Sequence, residues 1–197
     1  MYEEKLINFF SGIEKPSPDQ ISLIKFHYKF DIINKNTFFI KAGRIQKEIG
    51  FVIKGIFRSF SIDKSGNETT KLFIPEGGFL ICLDSFLTEG SSKINIESLE
   101  DSMIFHIKCV TLKEMIKTDE YWKKVYMKLL ENVYFIMDKR EQYHVEKDNL
   151  NKYKNFLMDF PGLIDRVKHH QIASFLGMTP ESLSRIRKKF KIIDLNQ

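Results

Sequence analysis

The spacing of apolar positions along the chain changes character twice. Over residues 1–26 it is helical, with Leu6, Ile7, Phe9 and Phe10 on one apolar face and Ile21, Leu23 and Ile24 on another. Lys15-Pro-Ser-Pro18 breaks the two apart, because proline removes a donor and clashes with the preceding turn. From about 27 to 109 the pattern becomes short β-rich runs separated by glycine and polar turns: 38–40, 49–53, 56–62, 69–74, 94–96 and 103–107. Asp63-Lys-Ser-Gly-Asn-Glu68 reads as a hairpin connection, with Gly66 free to take a positive φ. So many short strands at this spacing predict an all-β sandwich or barrel.

Helical spacing returns over about 119–147. Trp122, Tyr126, Leu129, Val133, Ile136, Arg140, Tyr143 and Lys147 recur in alternating steps of four and three, a heptad seam. Val125, Leu130, Tyr134 and Met137 make a second stripe. A helix apolar on two faces has two neighbours. The seam is assigned to a second copy of the chain and the second stripe to the β domain. Arg140 and Lys147 imply that the seam loosens, or meets an acid or a ligand, toward its end. A further helix over 148–160 ends at Pro161-Gly162.

The last thirty residues predict a helix-turn-helix, and with it a double-stranded DNA partner. Ile172, Ala173 and Leu176 share one face of a short helix, and Gly177 stops it where the left-handed region is cheapest without a Cβ. Thr179 is a good N-cap and Pro180 a good first residue for a second helix, whose Leu183 and Ile186 turn back to the first. The tail after it, Ile192-Ile-Asp-Leu195, has room for one short strand at most, so a wing is minimal or absent.

Charge strengthens this reading. From Asp165 onward seven basic residues (Arg166, Lys168, Arg185, Arg187, Lys188, Lys189, Lys191) face three acids, while the formal net charge of the whole chain is only +5. A basic block on a recognition helix is an electrostatic footprint for phosphates. Cys82 and Cys109 stand alone, both in apolar runs read as strands. Two such cysteines exclude a disulfide framework and a four-cysteine iron–sulfur site, and fit a reducing cytoplasm. No apolar run reaches membrane-spanning length, and Met1-Tyr-Glu-Glu-Lys lacks the features of a signal peptide. His27, His106 and His144 are scattered, which makes haem a weak expectation. No nucleophile–base spacing, paired carboxylates, metal cluster or phosphate loop points to an enzyme.

The order of parts resembles the Crp/Fnr transcription regulators over nearly the whole chain. Phe51-Val-Ile-Lys-Gly-Ile56 resembles their hydrophobic–Lys–Gly turn, Ala42-Gly43 the glycine turn before it, and Pro75-Glu-Gly-Gly-Phe79 the start of their phosphate-binding cassette. The short form ending Ile-Ile-Asp-Leu-Asn-Gln resembles a Bacteroidetes-like subgroup. The resemblance implies an α+β fold: a cyclic-nucleotide-binding-like β-roll (jelly roll) with N-terminal helices over 1–118, a dimerisation helix over 119–147 and a DNA-binding domain over 148–197. It implies a cytoplasmic homodimer that binds DNA and meets RNA polymerase.

The cassette departs from the cyclic-nucleotide pattern. Where binders resemble a Gly-Glu step and an Arg-Ser/Thr-Ala step, this chain has Ile81-Cys82-Leu83 and Ser92-Lys93-Ile94. Cys82 cannot accept like a carboxylate, and Ser92 cannot replace a guanidinium. Lys93 is one register away and reaches the anion only if the loop through Ser91 slips. Cyclic AMP and cyclic GMP are therefore not expected by the usual contacts, and no cofactor is assigned. An effector of another kind would meet Cys82, Leu83, Ser91, Ser92, Lys93, Arg140 and Tyr143.

On the second helix of the helix-turn-helix, Glu181, Ser184 and Arg185 are assigned to bases: Arg185 to a guanine edge, Glu181 to a cytosine amino group. Their spacing resembles the Fnr branch, which implies a TTGA-like half-site. His170, Thr179, Ser182, Arg187, Lys188 and Lys189 are assigned to phosphates. The competing reading is a ligand-sensing module that acts through protein partners without DNA.

Overall fold

A computed structural model describes residues 2–194, and the side chains of 4–190. The chain divides into two units, 1–61 with 73–134 and 62–72 with 135–197. This division falls inside the long helix, not at 118/119 and 147/148, and takes 62–72 with the C-terminal helices.

The first unit opens with α1 (Tyr2–Ser11) and α2 (Pro18–His27). A capping box starts α2: the Ser17 hydroxyl accepts from the Gln20 N–H, and the Gln20 side-chain oxygen accepts from the Ser17 N–H at 2.8 Å. Eight strands follow: β1 (Lys29–Ile33), β2 (Phe38–Ile40), β3 (Glu48–Lys54), β4 (Phe57–Ile62), β5 (Glu68–Ile74), β6 (Phe79–Leu80), β7 (Asn95–Ser98) and β8 (Ser102–Lys108). They form two antiparallel four-stranded sheets, β1-β8-β3-β6 and β2-β7-β4-β5. The short α3 (Leu83–Thr88) precedes β7, and α4 (Cys109–Thr118) leads into the long α5 (Glu120–Val145).

One face of β3 and β8 presents Ile49, Phe51, Ile53, Phe105 and Ile107 to a core completed by Leu6, Phe10, Ile24, Trp122 and Val125. Trp122 is fully buried and meets Phe10 edge-on at 5.5 Å between ring centroids. Both faces of β3 are covered, so Ile49 to Ile53 are buried without alternation, and the run reads as continuously apolar.

The six expected strands are present. Four elements were not expected: β1, β6, α3 and α4. β1 is almost wholly exposed along its length, and its pairing with β8 from Lys29↔His106 to Ile33↔Ser102 defines it instead of a buried stripe. The placement of both cysteines in strands is corrected. Cys82 is the N-cap of α3, and Cys109 opens α4, where it, Leu112 and Met115 are buried at helical spacing. Both thiols are buried and unpaired with each other.

The seam assignment on α5 also changes. Trp122 and Leu129 are buried within the chain, as is Tyr143, so none has surface to offer a second copy. Tyr126 is half-buried, at 6.0 Å from Phe86. Val133 and Arg140 are half-buried, and Ile136 is exposed. Of the second stripe, Val125 is buried in the core, but Tyr134 (65 %) and Met137 (59 %) are exposed, along with Met127 and Phe135.

In the second unit, α6 (Asn149–Asp159) is capped by the Asp148 carboxylate, which accepts from the Leu150 N–H at 2.9 Å. A 3-10 turn (Leu163–Asp165), α7 (His169–Leu176) and α8 (Pro180–Asp194) follow. α8 runs on through Asp194, so 192–194 are helical where a short strand was the most the tail allowed; Leu195 to Gln197 lie outside the described residues. Among the described residues no helix is long and apolar enough to cross a membrane.

Candidate nucleic-acid interface

Local chain chemistry builds the turn between α7 and α8. Gly177 ends α7 at φ 67°, and its N–H returns to the carbonyls of Ala173 and Ser174. Met178 N–H also bonds the Ala173 carbonyl, at 3.0 Å. The Thr179 hydroxyl oxygen accepts from the Ser182 N–H at 3.2 Å and so starts α8. Ile172, Ala173, Leu176 and Leu183 are fully buried, and Ile186 is half-buried beside them. Phe156 of α6, Leu163 and Phe175 complete the small core.

That packing turns the opposite face of α8 outward. Glu181, Ser184 and Arg185 are exposed, with Ser182 half-exposed between them. Arg185 Nη2 lies 3.4 Å from the Ser182 hydroxyl, a loose contact that a better acceptor can replace. The Glu181 carboxyl is held below the usual carboxylate range by its own backbone N–H, then by the Thr179 hydroxyl and Arg185. It is thus an anionic acceptor at neutral pH, next to a guanidinium donor.

His170, Thr179, Lys188 and Lys189 are exposed. Arg187 differs. It is half-buried and hydrogen-bonds the Tyr153 hydroxyl, and it helps hold the His169 imidazole below its ordinary range, after burial. Part of Arg187 therefore ties α8 to α6. The side chain of Lys191 lies outside the described residues.

The expected effector residues divide between the units. Cys82, Leu83, Ser91, Ser92 and Lys93 belong to the first, Arg140 and Tyr143 to the second. The Cys82 N–H is bound by the Gln46 side-chain oxygen at 2.7 Å, while its thiol sits at the start of α3. Leu83 is half-buried in α3, and Ser91 is exposed and bridges to Ile45. The buried Ser92 hydroxyl is closed on Ile94, donating to its carbonyl at 2.7 Å. Lys93 is 84 % exposed and pairs with Asp84 at 3.2 Å. Tyr143 donates to Asp159 at 2.8 Å, and burial, the larger cause, together with that carboxylate raises its phenol above the ordinary range.

His106 is buried between two acids, 2.9 Å from Asp31 and 3.3 Å from Glu48. Among the described residues no group of three or more His, Cys, Asp and Glu has metal-holding geometry. Sequence reasoning missed one feature here. Lys152, on α6, is a buried lysine whose ammonium, among the described residues, reaches the Leu176 carbonyl alone, at 3.4 Å. No local signal marks it, because its burial depends on α7.

No family model matches the chain, and no curated protein matches it. Solved structures do. FixK2 from Bradyrhizobium japonicum superposes with a TM-score of 0.76 at 14 % identity, over 85 % of this chain and 86 % of that one. A transcriptional regulator assigned to the Crp/Fnr family, from Eubacterium rectale, gives 0.74 at 16 % identity over 94 % and 88 %. The fold is Crp/Fnr-like. The c-di-GMP responsive regulator CLP of Xanthomonas campestris gives 0.69 at 14 % identity, over 91 % and 94 %. In a Crp/Fnr-like fold the two sheets are the β-roll, followed by C-terminal helices, which agrees with the α+β architecture expected from the sequence.

Proposed function

We propose that this chain is a DNA-binding transcription regulator that works as a homodimer. The observation that carries the reading is the face of α8: a capped, well-packed helix whose first turns expose Glu181, Ser184 and Arg185 together. A helix held at its back by Leu183 can enter a major groove without losing its packing. Arg185 then bonds the O6 and N7 of a guanine, and Glu181 accepts from a cytosine amino group. His170, Thr179, Lys188 and Lys189 bind phosphates and set the register. The Crp/Fnr-like fold supports two-fold symmetry, so the site is palindromic, with half-sites about one helical turn apart.

A gel shift against genomic fragments followed by titration of the selected duplex tests the assignment. Arg185→Ala loses about 1–3 kcal/mol on the selected site and relaxes its specificity. Lys188→Ala weakens selected and random duplexes alike and lowers the salt dependence. Equal behaviour of the two variants on both duplexes refutes the roles, and no shift with any fragment refutes DNA binding.

A further inference from the structure

Four basic residues of the second unit surround the C-terminal end of α7: the Lys152 ammonium reaches the Leu176 carbonyl at 3.4 Å, His144 faces Gly177, Arg140 is one turn before His144, and Lys71 follows Thr70, whose N–H bonds Ser174 at 3.0 Å. Lys71 comes from β5, Arg140 and His144 from α5, and Lys152 from α6. The spacing of four places Arg140 and His144 on one helix face. His144 senses all of the others: after burial, Arg140, Lys152 and Lys71 in that order hold its imidazole below the ordinary range. Burial lowers Arg140, and burial and then Arg140 lower Lys71. Among the described residues, Lys71, Arg140 and His144 have no hydrogen-bond or ion-pair partner.

Of the acids close in sequence, Glu146 accepts from the Asp148 N–H at 2.8 Å, and Glu141 is exposed on the neighbouring face of α5, about 100° around the helix from Arg140. Asp159 is bound by Lys139 and Tyr143, and Asp148 caps α6. Glu68 is on the opposite pleat of β5 from Lys71. The wall on the α7 side is bare backbone: a Cβ at Gly177 would sit 3.9 Å from His144 Nδ1. Nearby, the Ser174 hydroxyl accepts from the Thr70 N–H at 3.0 Å.

Collecting cations and partly burying them is unfavourable unless an opposite charge joins them. We propose that Lys71, Arg140, His144 and Lys152 form a binding site for a small anion carrying a phosphate monoester or pyrophosphate group. The DNA backbone is the other source of phosphate, but the geometry disfavours it. Lys152 is 8 % exposed, Arg140 and Lys71 are half-buried and His144 is exposed at the rim, so an anion meeting all four must reach in past the surface; a duplex meets cations that stand out, such as Lys188 and Lys189. Binding draws a proton onto His144, so affinity rises as pH falls through the imidazole range. The occupied site would tie the hairpin, the end of α5 and α6 together. It does not rest on the DNA-binding assignment.

Calorimetry of the full-length protein with sodium pyrophosphate at fixed ionic strength tests this. Saturable binding of one pyrophosphate per chain is expected, weakened about tenfold or more by Arg140→Gln and by Lys71→Gln, the loss of one charge-assisted contact in each case. Lys117→Gln, on α4 and paired with Glu114, leaves it unchanged. Lowering the pH from about 8 to about 6 tightens it, and His144→Gln removes that dependence. Thermal melts guard against misfolding: without pyrophosphate, Arg140→Gln melts no lower than the parent, because it relieves repulsion. Absence of saturable binding overturns the proposal, and so does an equal loss in Lys117→Gln. Weaker binding of random duplex by Arg140→Gln, with no pyrophosphate binding, assigns the cations to DNA and also overturns it.

Discussion

Gly55 shows how a sequence marker becomes a steric requirement. The Lys54-Gly55 step resembles a family turn, and the structure supplies the reason. Gly55 sits at φ +108°, its N–H donates to the Glu76 carboxylate at 2.9 Å, and a Cβ there would fall 2.1 Å from the Ser102 hydroxyl oxygen. Ser102 cannot easily retreat, since that hydroxyl donates to the Glu100 carbonyl and contacts Ser98. Gly55→Ala is expected to cost about 3 kcal/mol, combining an unfavourable φ with an overpacked contact, as a lowered midpoint in urea. A midpoint within experimental error of the parent would show that the turn relaxes. Residues of this kind, like Gly177 and Thr179, are legible because their partners lie a few positions away. Lys152 is not, because α7 covers it from more than twenty residues downstream. Nor is the gathering of Lys71 with Arg140, which are far apart in the sequence and joined only by the fold.

At the scale of elements, α5 is the instructive case. Its existence and length were legible, since twenty-six residues at helical spacing leave little choice. Which stripe faces inward was not. Two apolar stripes with the same period differ only in what covers them, and Trp122 is covered by Phe10, which sequence spacing cannot reveal. The exposed apolar residues Met127, Tyr134 and Met137 are the face that the proposed homodimer would use. Tyr134→Asp is expected to give monomers in sedimentation at a concentration where the parent sediments as a dimer, because an aspartate in an apolar seam stays unpaired and desolvated. An unchanged sedimentation coefficient places the contact elsewhere. β1 and α4 escaped notice for the same reason as the stripes: pairing with β8 and packing of Cys109, Leu112 and Met115 are tertiary facts.

Across the whole molecule, burial has been applied to groups that ionise only in alkali. Burial is the largest cause in each: it pushes the Cys109 thiol up to about 11 and the Tyr121 phenol up to about 12, and raises Tyr28 and Tyr143 further. In the unfolded chain these groups ionise near their ordinary 9.0 and 10.0. Their folded values are raised, so the unfolded state loses protons first and stability declines once pH passes about 9. Melting temperatures should be flat from about pH 7 to 9 and fall progressively toward pH 12, and a flat profile to pH 12 would contradict the burial of these groups. The unit that carries α7 and α8 also includes 62–72, where the Thr70 N–H meets Ser174. No single stretch of the gene encodes that unit. A fragment starting at residue 135 leaves a strand behind, and a recombination that exchanges C-terminal ends between relatives separates Ser174 from its partner. Variation on the outer face of α8 is thus easier to reach by point substitution than by shuffling whole ends.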